Sequence, residues 1–219
     1  MKKNLLLLAI ITTGFFSCEQ VGKSTSKIVD VETLDSVKKV KSQKTFIYTK
    51  YEYTNSIGES LIIENSVPKG GIKYTDINGE VYVYAVFWTR IMNETDNPLK
   101  LKIDFPLNSF EVPSLPGKYF KILLPPNTMT PEKESLFNYG LKDLESLLDD
   151  NLHKAASLKR TINPKESSSF YIVTLRSIEG IKGTLRTGLS IKGQNLFYRI
   201  NDQEINCGNI NLNNLILKK

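Results

Sequence analysis

GEVYVYAVFWTRIMNETDNPLKLKIDF, residues 79–105, reads as two long strands joined by a polar turn. From Val81 the side chains alternate without a break. Val81, Val83, Ala85, Phe87, Thr89 and Ile91 share one face, and Tyr82, Tyr84, Val86, Trp88, Arg90 and Met92 share the other. Such β-branched and aromatic residues suit a pleated, packed surface, whereas a helix would scatter them around its circumference. Both faces are apolar, which predicts a central strand covered twice. Asn93-Glu94-Thr95-Asp96-Asn97-Pro98 stops the strand, because proline has no N–H and Asn and Asp side chains bond nearby backbone. Leu99, Leu101, Ile103 and Phe105 then alternate with Lys100, Lys102 and Asp104, as in a strand with one buried and one wet face. Upstream, Asn78-Gly79 predicts a tight hairpin fed from Ile72, Lys73 and Tyr74.

Outward from this spine the chain stays β-rich. Strands are expected over 45–53, 60–64, 119–124, 157–162, 167–175, 183–191, 196–200 and 205–212, separated by Gly, Pro and Asn turns. The period changes once. Thr130-Pro131-Glu132 looks like a helix start, with a Thr cap, proline at the first position and an acid near the dipole. Gly140 interrupts it. Leu141, Leu144, Leu147, Leu148 and Leu152 then predict an amphipathic helix over 142–153 whose polar face carries Asp143, Glu145, Asp149 and Asp150. There is no internal repeat.

Met1-Lys2-Lys3-Asn4 is a positive n-region and 5–16 a short apolar segment, too short to span a bilayer. Ser17 and Cys18 follow. This resembles a bacterial lipoprotein signal, in which a small residue precedes a cysteine that becomes the lipidated N-terminus. Phe15-Phe16 departs from the usual Leu and small or β-branched pair. The resemblance implies a signal peptide over 1–17, lipidation at Cys18 and a cell-envelope address, outer membrane included, on the periplasmic or surface face. Each buried acyl CH₂ adds about 0.8 kcal/mol of membrane affinity. Residues 19–44 are polar with isolated apolar residues, which predicts a tether between membrane and domain. Asp35-Ser36-Val37 matches a three-residue O-glycosylation acceptor of Bacteroidota, a pattern short enough to arise by chance.

The chain has 219 residues and a net charge of +6, of which Lys2 and Lys3 supply two. The excess is scattered lysine, without the clustered arginine and stacking aromatics of a nucleic-acid surface, and no nucleic-acid partner is expected.

Two segments carry a further resemblance: Asn93 to Leu99, and Ile162-Asn163-Pro164-Lys165-Glu166-Ser167-Ser168-Ser169-Phe170. They resemble the N-x-T-x-x-P-L turn and the later proline, acid, serine, aromatic strand entry of immunoglobulin-like sandwiches in bacterial envelope proteins. The chain is also similar to uncharacterised lipoproteins of Bacteroidota. The resemblance implies a mainly β fold over 45–219, an immunoglobulin-like antiparallel β-sandwich with a helix-containing insertion at about 107–159. It brings no activity with it.

Catalytic patterns are sparse. His153 is the one histidine, and no G-x-S-x-G elbow or Cys-His framework accompanies it. At a helix end it favours the dipole. Two cysteines, one of them destined for lipid, leave Cys207 without a disulfide partner and zinc without ligands. No phosphate loop or H-E-x-x-H is present, and no cofactor or metal is expected. The leading expectation is a non-enzymatic, lipid-anchored envelope protein that binds a protein partner or supports envelope assembly. The alternative is a glycan-binding lipoprotein using Tyr82, Tyr84 and Trp88 as an aromatic platform. Because both faces of the strand are apolar, the favoured reading of the same three residues is the packing surface for the insertion. An exported hydrolase with a carboxylate pair, which needs no local motif, is the third alternative.

Overall fold

The structure is a computed structural model that describes residues 46–113, 115–179 and 183–212. The signal peptide, Cys18, the tether and Ser36 lie outside the described residues. Two facing antiparallel sheets form a β-sandwich. The first runs β1 (Ile47–Thr54), β2 (Ser60–Ser66), β4 (Val81–Asn93), β9 (Ser167–Ser177), β7 (Tyr119–Leu123), β6 (Phe110–Glu111), with β3 (Lys69–Thr75) also on β4. The second runs β10 (Thr187–Lys192), β11 (Asn195–Ile200), β12 (Gln203–Asn211), β5 (Leu99–Phe105), β8 (Ala156–Ile162).

The spine is β4. One edge takes β9 along its whole length, Tyr82↔Ser177 to Met92↔Ser167. The other edge is shared. The second half of β4 pairs with β2, and the first half with β3. Between them the arm breaks at Val67-Pro68, where the Val67 N–H turns to Phe46 O at 2.8 Å. The expected hairpin closes through Asp76, whose Oδ1 accepts the N–H groups of Asn78 (3.0 Å) and Glu80 (2.8 Å). Gly79 supplies the left-handed residue, at φ 80°.

Alternation on β4 produces two cores. Phe87 and Ile91 face inward and meet Leu101, Ile103, Leu189 and Tyr198 across the sandwich. Tyr82, Tyr84, Val86 and Trp88 face outward and meet Tyr139, Leu144, Leu148 and Leu152 of the insertion. Fully burying one such large side chain contributes about 1.5–3 kcal/mol, so both layers stabilise the same strand. The insertion covers one face of the first sheet, as expected, and its strands β6 and β7 also extend that sheet beyond β9.

The helical part is shorter than the sequence suggests. A 3₁₀ turn at Pro131–Lys133 replaces the expected helix start, and a second follows at Phe137–Gly140. Asn138, Tyr139 and Gly140 all take left-handed backbone, at φ 45°, 56° and 68°, which no α-helix continues through. The true helix, α1, is Leu144–Asn151, with Leu144 and Leu148 buried.

Edge strands are managed by side chains. Asn65 reaches from β2 to the edge of β10: its Nδ2 donates to Leu189 O (3.0 Å) and its Oδ1 accepts the Leu189 N–H (2.9 Å). Tyr53 Oη accepts the Ile191 N–H at 2.8 Å. Edge strand β8 carries Arg160 on its inward-pointing row, between Leu158 and Ile162, a device that discourages edge-to-edge pairing. In β12 a bulge at Gly208 lets the strand pass β5 closely; a Cβ there would sit 2.0 Å from Lys102 O.

Cys207 lies in the inner core at 1% exposure, and burial pushes its thiol up to about 12. The native domain is therefore expected to resist thiol reagents at pH 8 and to react stoichiometrically at this position once urea unfolds it. Rapid native labelling of Cys207 would contradict the packing described above.

Candidate functional site

Three aromatics are the sequence-derived candidates for a ligand platform, and the structure corrects that reading. Tyr82, Tyr84 and Trp88 are 5%, 7% and 0% exposed. Stacking on a ligand needs a free ring face, and these faces are spent on the insertion. Trp88 meets Tyr139 edge-on at 6.3 Å, with the Arg90 guanidinium 4.9 Å from its ring. Tyr84 Oη takes the Asn138 amide at 3.3 Å, and Tyr82 Oη donates to Glu80 at 2.5 Å. Burial first, and then the Glu80 carboxylate, raise the Tyr82 phenol. The polar ends of the rings are thus satisfied within the fold, as buried tyrosines require.

His153 and the acidic helix face behave structurally. Tyr74 Oη donates to Asp149, which ties α1 to β3. His153 Nε2 lies 4.0 Å from Asp76 Oδ2 and is largely exposed. Among the described residues, no cluster of three or more His, Cys, Asp or Glu side chains could hold a metal ion.

The open feature of the molecule is one the sequence did not single out. At 13 residues, β4 is longer than any strand of the second sheet, where lengths run from 6 to 9. Its first half, with β3 and the end of β9, therefore projects past the sandwich core. Val83 belongs to neither core. Two surfaces result.

The first surface is an edge. β3 pairs with β4 on one side only, and among the described residues no strand lies beyond it. Every second residue of such an edge points its N–H and C=O outward. Three exposed apolar side chains stand beside it. Ile72 is 38% exposed, Leu136 51% and Phe137 71%. Ile72 pairs directly with Tyr84, and Tyr84 is held by Asn138, the neighbour of Phe137. Lys69 Nζ donates to Glu134 O (2.5 Å) and Leu136 O (2.7 Å), fixing the 3₁₀ turns against the start of β3.

The second surface is a cleft of about 370 Å³ under the projecting sheet. Val83, Ala85, Phe120 and Leu185 supply its apolar lining, and Gly70, Gly71 and Arg176 line it too. Register explains the arrangement. Lys73 pairs with Val83 and Val83 with Arg176, so all three share one face. One step inward, Gly70, Ala85 and Thr174 form the parallel row. Burial depresses the Arg176 guanidinium from its ordinary value. Among the described residues Arg176 has no hydrogen-bond or ion-pair partner, and Thr174 Oγ1 is buried without one. The sequence signal was only an arginine just past the apolar middle of a strand.

Comparison with known proteins finds no matching family model, no matching curated protein and no matching solved structure. The fold and these two surfaces define the chain as a β-sandwich with an open sheet end.

Proposed function

We propose that this chain is a lipid-anchored, non-enzymatic cell-envelope protein that binds a protein partner by accepting an extended segment along β3. The observation that carries the proposal is the one-sided pairing of β3 beside exposed Ile72, Leu136 and Phe137. Strand addition at an open edge draws affinity from main-chain hydrogen bonds and specificity from flanking side chains. Exposed apolar residues grouped at such an edge are what a partner would cover. Lipidation at Cys18 would hold the domain at a membrane and the polar segment 19–44 would space it from the surface. The glycan-binding alternative loses support, because its platform is buried.

The test places a photo-crosslinking residue at Ile72, at Phe137 and, as a control, at Ile57, which is 78% exposed on a different turn. Irradiated cells are expected to give a discrete protein adduct at 72 and 137 and none at 57. Equal adducts at all three positions, or none, would remove the proposal. An adduct of the chain with itself would mean that the edge closes on a second copy. In parallel, Cys18→Ala is expected to leave the membrane fraction; fractionation unchanged from wild type would remove the anchor.

A further inference from the structure

We infer that the cleft beneath the β3–β4 projection is a binding site for a small organic carboxylate with an apolar body. This is a second site, on the inner face of the sheet, and does not depend on partner binding at the β3 edge.

Two observations converge on it. The first is an unmet charge. Arg176 is half-buried, its guanidinium is partly desolvated, and it has no partner among the described residues. Arg90, half-buried further along the same sheet, by contrast meets Glu64 at 3.2 Å and Glu134 at 2.6 Å and bonds Ser169 at 3.3 Å. The guanidinium fork matches a carboxylate in two parallel bonds, and such charge-assisted pairs are about twice as strong as neutral ones. The second is the shape. The walls are chiefly apolar, and about 370 Å³ falls at the small end of ligand sites, which run from about 300 to 1,000 Å³. Such a volume takes a single short chain or one ring rather than a macromolecule.

Among the described residues no acidic side chain lines the cleft, and its charged lining residues are Arg176 and Lys69, whose Nζ is held by Glu134 O and Leu136 O. A neutral hydrocarbon would leave Arg176 unpaired; a bare anion would leave Val83, Ala85 and Leu185 wet. The carboxylate with an apolar body answers both.

The experiment uses the full chain with labelled methyl groups and follows Val83, Ala85 and Leu185 by NMR. Sodium octanoate, 3-phenylpropionate and 1-octanol are titrated to 10 mM. At least one acid is expected to shift these methyls saturably and to bind at least tenfold more tightly than 1-octanol. In Arg176→Gln the acid is expected to fall to the level of 1-octanol, while 1-octanol itself is unchanged. The inference is overturned if neither acid shifts the three methyls, if acid and alcohol bind equally, or if Arg176→Gln leaves acid binding intact. Amide spectra of each variant establish folding, so loss of the site is distinguished from loss of the fold.

Discussion

Replacing Asn93 with leucine should destabilise the domain by about 4 kcal/mol, close to the whole stability of a marginal protein. Asn93 is fully buried. Its Nδ2 donates to Asn97 O (2.8 Å), Ile162 O (3.1 Å) and Asn163 O (3.0 Å). Its Oδ1 accepts the Thr95 N–H (3.1 Å) and Thr95 Oγ1 (2.7 Å). One amide thus joins the crossing from β4 to β5 with the crossing from β8 to β9. Leucine fills a similar volume but leaves several buried groups unpaired, at about 1–3 kcal/mol each and less than additively. Asn93→Asp separates bonding from volume. A carboxylate cannot donate to three carbonyls, so the folded state would hold its proton and the folded pKa would rise above the ordinary value of about 3.9. A raised folded pKa contributes its stability below the unfolded pKa and loses it as pH rises. Asn93→Asp is therefore expected to be more stable at pH 4 than at pH 7, relative to wild type, in urea titrations. A variant within 1 kcal/mol of wild type at both pH values would mean that the corner is held by packing alone.

That corner also shows how far the sequence could be read. The segments beginning at Asn93 and Ile162 lie about 70 residues apart in the chain, and each is recognisable as a turn from its Asn and Pro residues. Together they form one structure. The Lys165 N–H donates to Asn93 O (2.8 Å), the Asn93 N–H donates to Glu166 O (2.9 Å), and Lys165 Nζ meets Asp96 at 2.9 Å. Strand alternation made β4, β5 and the hairpin at Asn78-Gly79 legible, because a period of two leaves little freedom over so many residues. The stretch 130–143 was not legible. Thr130-Pro131-Glu132 is a sound local start, yet the following residues offer no apolar stripe, and tertiary packing of Tyr139 decides their path. The cleft was hidden for a different reason. It arises from unequal sheet lengths and from Val83 and Arg176 meeting in one row, and no local pattern records which strands become neighbours. The burial of Tyr82, Tyr84 and Trp88 followed from two apolar faces on one strand; their alternative reading as a platform required one face to stay open.

The second large effect is expected at the contact that seats the insertion. Tyr139 is fully buried, although its backbone is left-handed at φ 56°. A tyrosine in that region carries about 1–3 kcal/mol of strain, which persists only when the surroundings hold it. They hold it on every side. Tyr139 Oη donates to Val67 O (2.7 Å), Tyr139 O accepts Tyr171 Oη (2.7 Å), and Lys69 Nζ sits 4.1 Å from the ring. Burial pushes its phenol up to about 12. The ring edge rests on Trp88, the chain's one tryptophan, whose Nε1 has no partner among the described residues. Trp88→Ala empties the centre of the outer core and should cost about 4 kcal/mol, within the range for large aromatics. Trp88→Phe keeps a ring against Tyr139 and removes the unpartnered donor, so its loss should be nearer 1 kcal/mol. Tyr139→Ala frees the strained turn along with its contacts. The wild-type indole should emit in the blue and resist acrylamide; in Tyr139→Ala the emission should shift red and become quenchable while the β-sheet circular dichroism persists. Blue, unquenched emission in Tyr139→Ala would show that α1 and its leucines seat the insertion without the tyrosine. Red-shifted emission already in the wild type would remove the buried outer core altogether. The distinction matters for the surface beyond it, because Tyr139, together with the Lys69 ammonium on Glu134 O and Leu136 O, anchors the turn that brings Phe137 and Leu136 to the β3 edge.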